Sequence, residues 1–307
     1  MRHLVSLRSS FEKLPGSIRG AIWMLFAAAM FACMGGFIRH LATDIHPLVL
    51  GFFRSVFGML LILPFMARFG LGMIRTRRHG MFFLRGMFSA LGQAFYFSAI
   101  AFLPMADAIS LTFTAPLFGV VLAVALLGEK FRLPRWIATL VGFAGVLIVL
   151  RPGFGDVTLV TLTPLMAALS MSFIWVFVKM LANTEPTERI VFYMMAYAIP
   201  ASLVPALFVW TTPALEHVPW LIGLSIVANL GQVGMTNAYR AADATAVFPF
   251  DFARLPFTAL IAYFVFAETP DAWTWLGASV IFGSTFFVVR HEARASARDA
   301  ASLTAAE

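Results

Sequence analysis

The sequence predicts an all-α integral membrane protein with ten transmembrane helices in two inverted five-helix repeats. The composition, the long apolar stretches and an internal sequence similarity lead to this prediction. Of the 307 residues, 61% are hydrophobic and 12% are charged, whereas an ordinary soluble domain has about half and about a quarter. A soluble protein of this length needs more charged side chains to cover its surface. We therefore expect lipid to cover most of the outer surface.

Ten apolar stretches are candidates for membrane-spanning helices, each of which needs about 20 apolar residues to cross a hydrocarbon layer of about 30 Å. Seven stretches of about 18 residues or more lack Asp, Glu, Lys and Arg: 20–38, 86–106, 108–128, 157–178, 190–215, 217–239 and 272–289. Residues 46–67 and 244–267 reach this length if buried charges are accepted. Residues 136–150 are shorter, but the flanking arginines can extend their charges to the interface.

The basic residues predict which side of the membrane each loop faces. The chain has a formal net charge of +7 and contains 22 Lys and Arg residues. If the N-terminus is cytoplasmic, 16 of them lie on the cytoplasmic side, and only Arg39 and Arg151 lie on the other side. This asymmetry follows the positive-inside rule and predicts an inner (plasma) membrane protein of bacterial type with both termini in the cytoplasm. The dispersed charges do not indicate a nucleic-acid partner.

An internal similarity divides the chain into two halves. Gln93 and Gln232, Glu129 and Glu268, and Trp136 and Trp275 match at an offset of 139 residues, and other pairs match at 140. We therefore predict a first repeat over 20–151, a linker over 152–160 and a second repeat over 161–290, with tails at 1–19 and 291–307. Because five crossings per repeat is an odd number, the second repeat is expected to be inverted, as in alternating-access transporters.

The paired halves, each with an acidic motif closing its fourth helix, carry a family resemblance. With Gly128-Glu129 in the first half and Ala267-Glu268 in the second, the sequence resembles the EamA family of the drug/metabolite transporter superfamily over most of its length. The resemblance implies a ten-helix carrier whose cavity is lined by the third, fourth, eighth and ninth helices. It also implies substrates such as amino acids, S-adenosylmethionine or riboflavin. Pro249 departs from the simplest family pattern, so the ninth helix is expected to bend.

Charged residues within the predicted spans are candidates for the binding site. Asp251 is the only carboxylate well inside a span, about 12 Å from the cytoplasmic end, and Arg254 shares its helix face. The two residues either form a structural ion pair, or they bind a charged substrate group or a coupled proton. Arg54 is expected to pair with Asp251 or to bind an anion. Arg85 and Lys179 lie nearer helix ends, where we expect them to reach the interface.

Uncharged polar residues on two repeat-related helices complete the predicted site. Helical spacing places Gln93 and Tyr96 on one face of the third helix and Asn229 and Gln232 on one face of the eighth. These side chains either cross-link helices or line a cavity, and Trp175 is a candidate for stacking on a planar ligand. The predicted substrate-binding residues are Arg54, Gln93, Tyr96, Trp175, Asn229, Gln232, Asp251 and Arg254.

These observations predict a secondary transporter of small organic metabolites, namely amino acids or related compounds. An uptake carrier for a vitamin or nucleoside-like metabolite, such as riboflavin or S-adenosylmethionine, is the alternative. A lipid enzyme is a remote alternative, because all six histidines lie at helix ends or in loops and no catalytic, metal or cofactor site is indicated. Ala138 and Gly142 form a small-residue pattern that permits close packing within the bundle or in a homodimer.

Overall fold

The backbone is described by a computed structural model over residues 11, 14–69, 75–102, 111–130, 132–150, 162–267 and 272–304. Over these ranges the chain forms helices joined by short turns, without a strand. We number the helices α1 to α10 along the chain. Their bounds are Gly16–Leu41 (α1), Pro47–Phe69 (α2), His79–Phe102 (α3), Ala115–Leu127 (α4), Leu133–Leu150 (α5), Leu162–Ala182 (α6), Thr187–Leu207 (α7), Val218–Ala241 (α8), the three joined segments Ala244–Val247, Phe248–Ala253 and Arg254–Phe266 (α9), and Ala272–Thr304 (α10).

Several of these helices are suited to a membrane. In the described part of the chain, six stretches are long and apolar enough to cross a bilayer: Gly16–Leu41, Pro47–Pro64, Leu162–Ala182, Thr187–Leu207, Leu215–Ala241 and Ala244–Val265. Two shorter helices, Ala115–Leu127 and Leu133–Ile148, are also apolar. The prediction of an all-helical, multi-pass membrane protein is thereby confirmed, whereas the count of ten crossings stays a prediction.

The ninth helix changes its type within the bundle. One α-helical turn at Ala244–Val247 passes into a 3₁₀ helix at Phe248–Ala253, and α-helix resumes at Arg254. Pro249 has no backbone N–H to continue an α-helical ladder, which accounts for the change near this residue. The 3₁₀ segment is buried and packs against α1, α4, α5 and α10. The predicted irregularity of the ninth helix is therefore confirmed.

The helices pack in corresponding pairs. Helix α1 packs along α8 and α3 along α6; α4 contacts α6 and α1 contacts α9; α2 contacts α8 and α3 contacts α7. If each helix is replaced by the helix five positions away in the numbering, the α1–α8 contact becomes the α6–α3 contact. The other two sets of contacts are related in the same way. The same exchange leaves the α2–α7 and α5–α10 pairs unchanged. The packing is thus nearly symmetric with respect to the two sets of five helices.

The ends of α4 and α9 share an unusual backbone conformation. Gly128 closes α4 with a φ of 67°, and Ala267 closes α9 with a φ of 54°. These two residues are separated by the repeat offset of 139. Left-handed backbone is easy for glycine but costs an L-residue with a Cβ about 1–2 kcal/mol. The two helices therefore end in the same way although only one of them has glycine at this position.

The core and the apolar perimeter occupy opposite faces of the helices. The largest buried cluster includes Met24 of α1, Trp175 of α6, Tyr239 of α8 and Phe248 of α9. Large apolar side chains on the perimeter are exposed, as expected for contact with lipid: Leu91, Val121, Leu140, Leu230, Phe264 and Phe286. In contrast to soluble proteins, which rarely expose contiguous apolar surface, this chain exposes apolar side chains on many helices.

The small-residue pattern on α5 packs inside the bundle. Ala138 is buried, and a Cβ added to Gly142 would lie 2.5 Å from the ring of Phe252 and 3.2 Å from the hydroxyl of Ser284. Helix α5 packs closely along α10, where a Cβ on Gly145 would meet the carbonyl oxygen of Gly277 at 3.0 Å. This face is therefore occupied by α9 and α10 of the same chain.

Candidate substrate-binding site

The two repeat-related glutamines point into the bundle. Gln232 of α8 accepts a hydrogen bond from the Arg85 guanidinium of α3, with 3.4 Å between Oε1 and Nη2. Gln93 of α3 lies against α2, where a Cβ added to Gly51 would be 3.1 Å from its Nε2. Leu91 and Leu230, two residues before each glutamine, are exposed. The amide-bearing faces of α3 and α8 are therefore directed towards α2 and towards each other.

Helix α8 binds the backbone of α2. Ser225 donates a hydrogen bond to the carbonyl oxygen of Arg54 (3.1 Å), and the Asn229 amide donates to that of Gly58 (3.0 Å). A Cβ on Gly58 would lie 3.1 Å from Oδ1 of Asn229, so glycine permits this close approach. Oδ1 of Asn229 is itself buried without a hydrogen-bond partner. One face of α2 thus runs past the amides of α3 and α8.

Arg54 lies on this face of α2, between Gly51 and Gly58. The ion pair that we expected between Arg54 and Asp251 is not formed. Within the described ranges, the Arg54 guanidinium has neither a hydrogen bond nor a salt bridge. The prediction of an Arg54–Asp251 pair was wrong, because Asp251 has a nearer partner on its own helix.

That partner of Asp251 is Arg254. The two charged groups are 3.4 Å apart, and Asp251 is only 3% exposed. A 3₁₀ helix has three residues per turn and brings residues i and i+3 directly above one another, which explains why Asp251 pairs locally. The Arg254 guanidinium also lies 5.2 Å from the centre of the Phe113 ring.

Arg85 is buried, in contradiction to our expectation that it reaches the interface. Its residue is 3% exposed, and its Nε is buried without a hydrogen-bond partner. A Cβ on the neighbouring Gly86 would meet Tyr197 of α7 at 2.9 Å, so α7 packs tightly against α3 beside Arg85. The burial of Arg85 could not be predicted from its position along the helix, because it depends on which face of α3 is covered by other helices.

Trp175 lies in the hydrophobic core. It is 5% exposed, and its ring centre is 5.4 Å from that of Phe248 in the 3₁₀ segment of α9. One turn before it, Ser172 donates to the carbonyl oxygen of Ala115 at the start of α4 (2.7 Å). Ser172 and Trp175 therefore connect α6 to α4 and to α9.

A dense polar network joins the loops at one end of the bundle, which we call the polar end. It contains the α4–α5, α6–α7 and α8–α9 turns and the residues before α3. Glu129 accepts hydrogen bonds from the backbone N–H groups of Ala244 and Thr245 and from the Thr245 hydroxyl. Arg135 donates to the Thr245 hydroxyl (2.7 Å) and to Asp243 (3.0 Å). The first turn of α9 is thus fastened to the end of α4 and the start of α5.

Basic side chains of the same network bind the ends of other helices. Lys179 donates to the carbonyl oxygens of Tyr239 (2.7 Å) and Ala242 at the end of α8. The free carbonyl groups at a helix C-terminus attract a cation, which explains this contact; the expectation that Lys179 reaches the interface stays a prediction. Arg240 donates to the carbonyl oxygens of Ala182 (3.0 Å) and Glu185 (2.6 Å). The network therefore couples α6 and α7 to α8.

Sequence reasoning identified Glu129 only as part of a weak repeat motif and did not assign the capping contact. The matching position in the second half, Glu268, lies outside the described residues. In the part of the chain that the structure describes, no group of three or more His, Cys, Asp or Glu residues is arranged to hold a metal ion. The polar groups that the described residues place within the bundle are guanidinium, carboxamide, hydroxyl and carboxylate groups, all of which can form hydrogen bonds with a ligand.

Comparison with known proteins identifies the family. The model of the EamA-like transporter family matches residues 18–151 and, separately, residues 158–290. The chain belongs to the EamA-like transporter family. The resemblance seen in Gly128-Glu129 and Ala267-Glu268 is therefore confirmed, and with it the assignment to the drug/metabolite transporter superfamily.

Similarity to individual EamA proteins extends over most of the chain. A riboflavin transporter of Vibrio cholerae is 32% identical over 288 residues, which cover 92% of this chain and 96% of the relative. An S-adenosylmethionine uptake transporter of Rickettsia bellii is 29% identical over 279 residues, with 91% and 96% covered. A crystal structure with 20% identity superposes with a TM-score of 0.75 over 91% of this chain and 97% of the other, which supports the fold.

Proposed function

We propose that this protein is a secondary transporter of the inner membrane that moves a small organic metabolite by alternating access. The observation that carries the proposal is the family match, which occurs once in each half of the chain. The near full-length similarity to two transporters adds weight. Binding energy in such a carrier comes from a site between the halves, which is opened to one side of the membrane and then to the other.

The two halves are proposed to be inverted repeats over 20–151 and 161–290, joined by the linker 152–160. The exchange symmetry of the helix pairs and the shared left-handed closure of α4 and α9 support this division. Five crossings per repeat would place the halves in opposite orientations. The basic residues of the loops favour a cytoplasmic location for the polar end and for both termini.

The substrate is proposed to bind among polar side chains of α2, α3, α8 and α9. The proposed contacts are Arg54, Gln93, Tyr96, Asn229, Gln232, Asp251 and Arg254. Trp175 was included among the predicted contacts, and its place behind Phe248 favours a role in shaping the wall of the site. With the polar end fastened by Glu129, Arg135 and Lys179, the described conformation corresponds to a carrier closed towards the cytoplasm.

Vitamin and nucleoside-like metabolites are favoured as substrates over simple amino acids. The two relatives named above are a riboflavin transporter and an S-adenosylmethionine uptake transporter, and no comparable observation supports amino acids as the main class. Riboflavin and S-adenosylmethionine both contain a planar heteroaromatic ring that can stack on an aromatic side chain. Uptake is the proposed direction.

Counterflow into liposomes tests this function without assuming a coupling ion. Purified protein is reconstituted in vesicles loaded with unlabelled riboflavin, S-adenosylmethionine or a mixture of amino acids, and the entry of the matching labelled solute is followed. We expect transient accumulation of riboflavin or S-adenosylmethionine, absent from protein-free vesicles. Accumulation of amino acids alone would replace the substrate class. No accumulation of any of these solutes by correctly folded protein would count against transport.

A further inference from the structure

We infer that the transported solute carries an anionic group, a carboxylate or a phosphate, which is bound by Arg54 or Arg85. This inference rests on the proposed transport function and specifies the chemistry of its substrate: of the two solutes considered above, it favours S-adenosylmethionine, which has a carboxylate, over riboflavin, which has no anionic group. Arg54 was predicted to meet an acid, and Arg85 was predicted to leave the bundle. Within the described residues, the structure instead gives neither guanidinium group a carboxylate partner.

The charges within the bundle do not balance. In α1 to α9, the charged residues that lie more than five positions from both ends of their helix are Arg54, Arg85 and Arg254, with three positive charges, and Asp251, with one negative charge. Asp251 is already paired with Arg254. Arg54 and Arg85 therefore leave an excess of two positive charges on α2 and α3. A solute with the opposite charge would complete this arrangement.

Each arginine also lacks hydrogen-bond partners. Arg85 has one contact, the long 3.4 Å hydrogen bond to Gln232, and its Nε is buried without any acceptor. The described surroundings of Arg54 provide no acceptor for its guanidinium. A buried cation without an anionic partner costs several kcal/mol, so the buried Arg85 and the partly buried Arg54 indicate a missing anion. Guanidinium groups bind carboxylates and phosphates through paired hydrogen bonds.

The neighbours of the two arginines are suited to the same ligand. Arg85 lies beside the carboxamide of Gln232, and Arg54 lies one turn from Gly51, which contacts the carboxamide of Gln93. Arg54 is seven residues into α2 and Arg85 is six residues into α3, and these helices begin at opposite ends of the bundle. At about 1.5 Å per residue both are about 10 Å from an end, so an anion entering from either side would meet a guanidinium.

Matched pairs of solutes test the inference. Riboflavin 5′-phosphate is compared with riboflavin, and S-adenosylmethionine is compared with its decarboxylated form, so that each pair differs in one anionic group. Each unlabelled compound is added as a competitor of counterflow in proteoliposomes. We expect the anionic member of the transported pair to compete about tenfold or more better than its partner, the ratio given by one charge-assisted hydrogen bond.

Variants of the two arginines connect this preference to the proposed residues. R54Q and R85Q are expected to lose the preference for the anionic member, whereas R54K and R85K retain part of it because the charge remains. R290Q, which removes an exposed charge on α10, is the matched control and should behave as wild type. Size-exclusion profiles and thermal melts establish that each variant is folded. If R85Q does not fold, the comparison of R54Q with R54K decides.

The possible results separate the inference from the function on which it rests. Equal competition by both members of each pair, or better competition by the neutral or cationic member, overturns the inference while transport stands. A preference that survives in R54Q and R85Q overturns the assignment of the arginines. If no member of either pair is transported or competes, the substrate class proposed above and this inference fail together.

Discussion

Glu129 holds the first turn of α9 against the end of α4, and E129A tests whether this contact closes the polar end of the protein, which we propose to be cytoplasmic. The half-buried carboxylate accepts three hydrogen bonds from Ala244 and Thr245. At about 1 kcal/mol for each bond, their loss destabilises the closed state by about 3 kcal/mol. Because 1.4 kcal/mol is a factor of ten, E129A should raise the ratio of open to closed molecules by about 100-fold.

A reporter cysteine measures this change. Cys33 is a free cysteine, and the sequence contains no other, so C33S provides a background for single thiols. Thr236 is fully buried on the inner face of α8, and T236C should react with a membrane-impermeant maleimide only when the cytoplasmic end is open. In inside-out vesicles, we expect the maleimide to label the C33S/T236C/E129A variant much faster than the C33S/T236C variant.

Two controls define the result. E188Q removes an exposed negative charge at the same end and should leave the labelling rate unchanged, whereas E129Q keeps one acceptor oxygen and should give an intermediate rate. If folded E129A and the background label T236C at the same rate, the reasoning that Glu129 holds the end closed is refuted. Slower labelling would refute it equally.

Three further substitutions test other features, each with its own measurement. A267G should stabilise the protein by about 1 kcal/mol, because glycine adopts positive φ without the penalty of alanine; a thermal melt should rise by a few degrees, and A262G within the same helix should lower it. D251N, if Asp251 carries the coupled proton, should abolish accumulation driven by a pH gradient but retain counterflow, so unchanged gradient-driven uptake would remove this role. G142L should lower the melting temperature, because the leucine side chain would overlap with Phe252 of α9, at a typical cost of about 1–3 kcal/mol. A melting temperature equal to that of the wild type would contradict the tight packing of α5 against α9 and α10.

The fold followed from local patterns, because membrane helices leave a strong local signal. Long apolar stretches predict the helices described by the structure, and Pro249 marks the point where α9 changes type. Helical spacing placed Gln93 and Gln232 on related faces, and in the structure Gln93 lies against α2 while Gln232 accepts a hydrogen bond from Arg85 of α3. Each of these inferences needs only residues that are near one another in the chain, and backbone geometry does the rest.

The pairing of the polar side chains could not be read in the same way. Arg54 and Asp251 have opposite charges at similar depth, yet Asp251 forms its ion pair with Arg254 because the 3₁₀ geometry of α9 brings these two residues together. Arg85 sits near a helix end, where exposure to the interface is the usual result, but α7 packs tightly against α3 beside it. Pairing and burial depend on contacts between helices that are distant in the sequence.

The distribution of charge gives the two halves different chemistry on a common scaffold. The repeat offset carries Arg54 to Tyr193 or Met194 and Arg85 to Leu224 or Ser225, so neither cation has a counterpart. A solute whose acidic group is held by α2 and α3 would keep the same face towards the first half in both open states. The nearly symmetric helices would then change conformation around a solute that keeps its orientation. A protein with its two halves exchanged in sequence order would not be an equivalent carrier.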